Sequence, residues 1–192
     1  MRFPDGTLPV FLDRDGTIIV DKGYLRDVEQ VEFEAGAVAG LRALAGLGAT
    51  LVVVTNQSGI GRGLFDRAAV DAVHAHLDRL LRAEGIEIAG WEVCPHAPDD
   101  GCDCRKPAAG LVEQAARRLG LDPARGFVIG DKMSDMGLAD AIGARGVLVL
   151  TGEGAARATE ARAAGHAVAA DLAQAAEWIG SAARERADDR AG

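Results

Sequence analysis

Short apolar runs that alternate with helical stripes constrain this chain more than any other feature. The runs fall at residues 10–12, 50–54, 86–93, 126–129 and 146–150. Each reads as a strand buried on both faces. Between the first two, Val38, Leu41 and Leu44 recur at helical spacing. Val70, Val73, Leu77, Leu80 and Leu81 then form one apolar stripe, with Asp66 ahead of it as an N-cap. Two further helices fit residues 110–119, closed by Gly120 and Pro123, and 134–142, closed by Gly143. This order predicts an α/β fold: a doubly wound, Rossmann-like parallel sheet with right-handed crossovers. Ligands of such sheets sit at the carboxyl ends of the strands. Past Thr151 the chain turns rich in Ala and Gly, a last helix is expected at about 171–187, and residues 188–192 are expected to fray.

With 192 residues and no linker or repeat, one domain spanning 1–192 is expected. The net charge of −8 lacks the positive footprint that nucleic acid or an anionic membrane requires. No apolar run approaches the ~20 residues of a membrane span, and the first residues lack a signal core. A cytoplasmic monomer acting on a small molecule is the expectation.

Four polar clusters obey the strand-end rule. Asp13-Arg14-Asp15-Gly16-Thr17 follows the first strand, with two acids able to divide nucleophilic and proton-transfer work. Thr55 to Gly63 follows the second, where a hydroxyl and three glycines let backbone N–H groups approach an anion. Arg105-Lys106-Pro107 sets two cations before a helix, suited to phosphate. Gly130-Asp131-Lys132-Met133-Ser134-Asp135 adds acids after a further strand. Each has a plainer reading alone: an Asx turn, a polar loop, a solvated pair, an acid-rich helix start. Their convergence on one crevice favours a site.

In that order DRDGT, TNQSGIGRG, RKP and GDKMSD resemble the four motifs of the haloacid dehalogenase superfamily of phosphatases, over about residues 10–150. The resemblance implies that Asp13 is the nucleophile, forming an aspartyl-phosphate, and Asp15 the general acid and then base. It implies that Thr55 binds phosphoryl oxygens and Lys106 neutralises charge. Mg²⁺ would be held by the Asp13 carboxylate, the Asp15 carbonyl and the Asp131 carboxylate, with Asp135 behind them. A phosphate dianion repels a carboxylate nucleophile, so a hard cation and a fixed ammonium suit the chemistry. About thirty residues between Thr17 and Thr50, and a similar stretch from Gly63 to Cys94, leave no room for an inserted cap domain.

All three cysteines lie close together. Cys94 and His96, then Cys102 and Cys104, supply the Cys₃His set of a closed structural zinc site, expected as a zinc loop over 94–104. Cys104 directly precedes Arg105-Lys106, so zinc would pre-organise those cations. The CPH…CDCRKP pattern, with Asp21-Lys22-Gly23-Tyr24, resembles the subfamily of heptose-bisphosphate and histidinol-phosphate phosphatases. That likeness implies substrate contacts from Arg14, Asp21, Lys22, Gly23, Tyr24, Asn56, Gln57, Ser58, Arg105 and Lys132. It also implies removal of the 7-phosphate of a heptose 1,7-bisphosphate, with histidinol phosphate as the rival substrate. A nucleic-acid 3′-end phosphatase shares DxDGT and TNQxGIxRG, but the charge and 4% aromatic content weigh against it. A catalytically dead binding module would be free to lose one of the acids, and none is lost. His74, His76 and His166 show no ligand spacing and read as solvated or half-buried side chains. Trp91 and Trp178 read as packing residues.

Overall fold

The computed structural model describes residues 8–188. Six parallel strands form one sheet in the order β3-β2-β1-β4-β5-β6. They are β1 (Leu8–Leu12), β2 (Ala49–Asn56), β3 (Gly90–Cys94), β4 (Phe127–Gly130), β5 (Arg145–Val149) and β6 (Ala167–Ala169). The helices are α1 (Ala37–Gly46), α2 (Ser58–Gly61), α3 (Arg67–Ala83), α4 (Gly110–Leu119), α5 (Met133–Ala141), α6 (Gly154–Ala163) and α7 (Leu172–Asp188).

Alternate residues of each strand serve opposite faces of the sheet. Val10, Leu12, Leu51, Val53, Phe127, Ile129, Val147 and Val149 pack in the core beneath α1, α3 and α7. Phe11, Val52, Val54 and Val128 pack with α4 and α5 on the other face. Because both faces are covered, the central strands β1, β2 and β4 carry apolar runs, as the sequence suggested.

The expected α3 begins where the N-cap placed it, with Asp66 accepting a hydrogen bond from Ala69 N at 2.9 Å. Gly120, at φ 66°, closes α4 as expected. Three differences have physical causes. The third strand starts at Gly90, not residue 86; Ile86 and Ile88 are buried in the core but precede the ladder, and pairing with β2 begins at Val52↔Gly90. Both α6 and β6 escaped the pattern because the tail is built largely of alanine, a strong helix former that marks no apolar stripe and no strand. Residues 189–192, part of the segment expected to fray, lie outside the described residues, and Asp188 is helical.

Between β1 and α1 the chain folds back through isolated bridges Asp15↔Ile19 and Ile19↔Phe33. Between β2 and β3 lie only α2 and α3. Among the described residues there is no second sheet, so the fold carries no inserted cap.

The order reverses between β1 and β4, the topological switch point where such sheets open a crevice. Asp13 N donates to Ile129 O at 2.9 Å, which extends β1 by one residue beside the end of β4. Away from the crevice, α7 closes the fold by lying on α1 at Gly40. A Cβ there would overlap the Leu172 backbone. Gly40→Ala therefore sets a helix-propensity gain of about 1 kcal/mol against a backbone clash. We expect the clash to win, with a net loss of about 1–3 kcal/mol in urea unfolding; a stabilised variant would show that α7 can shift without penalty.

Candidate active site

Asp13 and Asp131 leave the carboxyl ends of adjacent strands β1 and β4, and Lys106 enters from the segment before α4. The Lys106 ammonium, its side chain only 3% exposed, lies 2.8 Å from Asp13 Oδ1 and 2.7 Å from Asp135 Oδ1. Burial alone would strip its proton, but the two carboxylates outweigh burial and raise its proton affinity above the ordinary lysine range. Asp13 Oδ1 also accepts from Arg14 N at 2.7 Å.

Asp131 is fully buried between two glycines. A Cβ at Gly16 (φ 83°) or at Gly152 (φ 54°) would overlap its carboxylate. Asp131 Oδ2 accepts from Glu153 N at 2.9 Å, while Oδ1 has no hydrogen-bond partner. Asp135 accepts from Lys132 N at 3.0 Å with Oδ2 and meets Lys106 with Oδ1. Both its oxygens are thus engaged, which leaves Asp13 and Asp131 to face a cation.

The three carboxylates offer oxygens within 4.8 Å of one another. One buried ammonium among them leaves excess negative charge, and Asp131 Oδ1 is an orphaned acceptor. A hard divalent cation with oxygen ligands satisfies both deficits, so the residues fit Mg²⁺.

Asp15 is held differently. Its carboxylate accepts from Arg14 Nε at 3.1 Å and Arg14 Nη2 at 2.9 Å, and from Gln57 Nε2 at 2.8 Å. Gln57 Nε2 also donates to Thr55 Oγ1 at 2.8 Å, which leaves the Thr55 hydroxyl proton free for an incoming oxygen.

Several residues expected at the substrate turn out to support the site. The Arg14 side chain is fully buried and its guanidinium is spent on Asp15 and His74, so a ligand can meet only its backbone. The Gln57 side chain is buried on Asp15 and Thr55. Asn56 gives both ends of its amide to the Lys106 backbone: Nδ2 donates to Lys106 O at 3.3 Å and Oδ1 accepts from Lys106 N at 3.1 Å. Ser58 opens α2 beside them.

At the rim, Lys132 Nζ donates to Asp21 Oδ2 at 3.0 Å, and Gly23 N donates to Asp21 Oδ1 at 2.8 Å. Lys22 pairs with Glu32 at 3.0 Å, and Tyr24 is 47% exposed, edge-on to Phe65.

Cys94, His96, Cys102 and Cys104 form the second cluster. The sulfurs lie 3.2–3.7 Å apart, and His96 Nδ1 is 3.1 Å from Cys104 Sγ. A tetrahedral zinc sets its sulfurs roughly 3.8 Å apart, so the donor set fits that metal. The loop is tied to its surroundings at both ends. Cys94 O accepts from Gln57 N and Pro95 O from Gly61 N, each at 2.8 Å, and Arg105 Nη1 donates to His96 O at 3.3 Å.

The sequence reading missed two supports. The loop after β5, Thr151 to Glu153, cradles Asp131 and also holds Gly16 O through Thr151 Oγ1 at 2.7 Å. Its Thr-Gly pair directly after a strand was the available signal. His74, read as solvated or half-buried, is 5% exposed; an apolar stripe does not reveal a polar partner reached from another strand.

Burial, then the charge of Asp13, pushes Asp131 up to about 7, and burial pushes Asp135 up to about 6 against the pull of Lys106. A carboxyl whose folded value lies above its unfolded one binds its proton more tightly when folded. The metal-free chain should therefore lose stability as pH rises from about 4 to 7. A cation must displace that proton, so apparent Mg²⁺ affinity should climb over pH 5.5–7.5 with proton release, read by calorimetry in buffers of different ionisation enthalpy. Affinity that stays flat across this window would contradict the assignment.

Comparison with known proteins places these features in a lineage. The HAD-hydrolase-like family model matches residues 103–175. A D-glycero-β-D-manno-heptose-1,7-bisphosphate 7-phosphatase of Photorhabdus laumondii is 41% identical over 157 residues, covering 77% of this chain and 83% of the relative. The enzyme of the same name from Escherichia coli K12 is 41% identical over 153 residues, covering 75% and 80%. Among solved structures, the D,D-heptose 1,7-bisphosphate phosphatase of B. bronchiseptica, complexed with magnesium and phosphate, superposes with a TM-score of 0.82 at 36% identity, covering 90% of this chain and 98% of that one. With relatives this similar over three quarters of its length, the chain belongs to the haloacid dehalogenase-like hydrolases, in the family of the heptose-1,7-bisphosphate 7-phosphatases.

Proposed function

We infer that the protein is a Mg²⁺-dependent phosphomonoesterase that removes the 7-phosphate of D-glycero-β-D-manno-heptose 1,7-bisphosphate. The observation that carries the chemistry is Lys106 fixed between Asp13 and Asp135 beside the orphaned oxygen of Asp131. The substrate follows from relatives at 38–41% identity that bear that name.

Asp13 attacks phosphorus, the ester bond to the sugar breaks, and the departing oxygen takes a proton from Asp15. Water then attacks the aspartyl-phosphate, gives its proton to Asp15, and releases inorganic phosphate with Asp13 restored. Lys106 offsets the charge gathered beside the nucleophile, and Thr55 donates its hydroxyl proton to a phosphoryl oxygen. Mg²⁺, held by the Asp13 and Asp131 carboxylates and the Asp15 carbonyl, would supply the remaining positive charge. Arg105 and Lys132 are the cations for the second phosphate, with Asp21 to Tyr24 at the sugar.

Zn²⁺ on Cys94, His96, Cys102 and Cys104 would be structural. Its thiolates suit the reducing cytoplasm, where we place the reaction. The partner is a small sugar bisphosphate met by a monomer, with no nucleic acid or membrane involved.

The deciding experiment compares kcat/KM for both anomers of the heptose bisphosphate, histidinol phosphate and a 3′-phosphorylated oligonucleotide, with Asp13→Asn as the inactive control. A preference of ~100-fold or more for the β anomer is expected, equivalent to about 2.7 kcal/mol of transition-state discrimination. Histidinol phosphate as the best substrate would keep the mechanism and overturn the substrate; phosphate release by Asp13→Asn would overturn the nucleophile.

Elemental analysis should find one zinc per chain. Stripping it should raise KM about 10-fold or more as Arg105 and Lys106 lose their anchor. Unaltered kinetics in the zinc-free protein would remove the loop from the site's support.

A further inference from the structure

His74 lies in mid-α3, outside the ligand clusters and untouched by the mechanism above. It is 5% exposed, and its ring stacks on Trp91 of β3 at 4.7 Å between centroids. Its Nε2 lies 3.1 Å from Arg14 Nη1. Arginine only donates, so Nε2 accepts and the ring proton sits on Nδ1. Burial, with the charges of Arg14 and Arg67, lowers His74 to about 3, which keeps the imidazole neutral and accepting.

The other edge of the same guanidinium donates to both oxygens of Asp15. Arg14 and Asp15 are neighbours in sequence, and their side chains would pair in many orientations if the guanidinium were free. A guanidinium is a rigid plane, so fixing Nη1 fixes the direction in which Nε and Nη2 present the carboxylate. Gln57 supplies a separate bond to Asp15 Oδ2 but none to Arg14.

We propose that His74 is a positioning residue for the proton-transfer step, acting through Arg14 to aim Asp15. This rests on the reading of Asp15 as general acid. The chain of contacts runs Trp91, His74, Arg14, Asp15, from an edge strand to the crevice. The stack fixes the ring, the ring fixes the guanidinium, and the guanidinium fixes the acid.

A general acid matters when the leaving oxygen needs a proton. A sugar alkoxide needs one; p-nitrophenolate departs without it. Misaiming Asp15 should therefore impair alkyl phosphates more than p-nitrophenyl phosphate in kcat/KM, which covers the first phosphoryl transfer. A merely structural lesion would impair both alike.

The test uses His74→Phe, which keeps the stack and volume but removes the acceptor, and His74→Gln, whose amide oxygen can replace Nε2. On the heptose bisphosphate, His74→Phe should lose about 10-fold or more beyond its loss on p-nitrophenyl phosphate, in kcat rather than KM, and His74→Gln should recover most of that difference. Equal losses on both substrates, or none, would overturn the proposal while leaving the phosphatase reading intact. If His74→Phe does not fold, Arg14→Lys gives the same comparison, because a lysine cannot span both Asp15 oxygens and His74. A wild-type chain silent on every monoester would overturn the phosphatase reading, and this inference with it.

Discussion

A lysine ammonium held out of water between two aspartates is tolerable only if all three groups arrive together and stay in register. Desolvating any of them alone would cost several kcal/mol, and removing one partner from such a set typically costs about 3–5 kcal/mol. Lys106 answers to three separate chain segments at once. Asp13 comes from the end of β1, Asp135 from the first turn of α5, and the lysine's own backbone is clamped by Asn56 at the end of β2. Since the charges cannot relax toward solvent, the backbone must deliver them correctly. The parallel sheet does so by ending β1, β2 and β4 side by side.

That delivery explains glycines that would otherwise weaken the fold. Asp131 carries its charge into full burial because Gly16 and Gly152 leave its carboxylate room from two directions. Both have positive φ, so their loops turn sharply where they meet it. The cluster of Cys94, His96, Cys102 and Cys104 belongs to the same economy of fixed backbone. It sits immediately ahead of Arg105 and Lys106, and its carbonyls take hydrogen bonds from the loop that follows β2. A metal held there would substitute for the hydrophobic core that a surface loop lacks.

The legibility of the sequence follows from which interactions are local. Buried parallel strands write themselves as apolar runs, and α3 and α4 announce their ends through Asp66 and Gly120. The acids of β1 and β4 and the Cys₃His set were visible because strand ends and ligand spacing are local patterns. What stayed hidden depends on side chains that meet across the fold. Asn56 and Gln57 looked like ligand-facing amides, yet fold geometry turns both inward, onto Lys106 and Asp15. Arg14 lies between Asp13 and Asp15 in sequence and is still fully buried, because successive residues leaving a strand face opposite ways. The alanine-built α6 and β6 had no apolar contrast to reveal them.

Asp13 and Asp15 are chemically identical and two residues apart, so the different tasks proposed for them must come from their surroundings. Asp13 faces a fixed ammonium and the place of a divalent cation, which hold its carboxylate in one direction, as the proposed nucleophile requires. Asp15 faces donors that carry no metal, a guanidinium and an amide, each itself held by another side chain or hydroxyl. A proton carrier has to take up and give back a proton during each turnover, and a metal ligand would resist that exchange. The fold sets one carboxylate against Lys106 and beside Asp131 at the end of β4, and the other against Arg14 and against Gln57 at the end of β2. The proposed division of labour therefore depends on the sheet's topology, through the neighbours that the ends of β1, β2 and β4 bring to each acid.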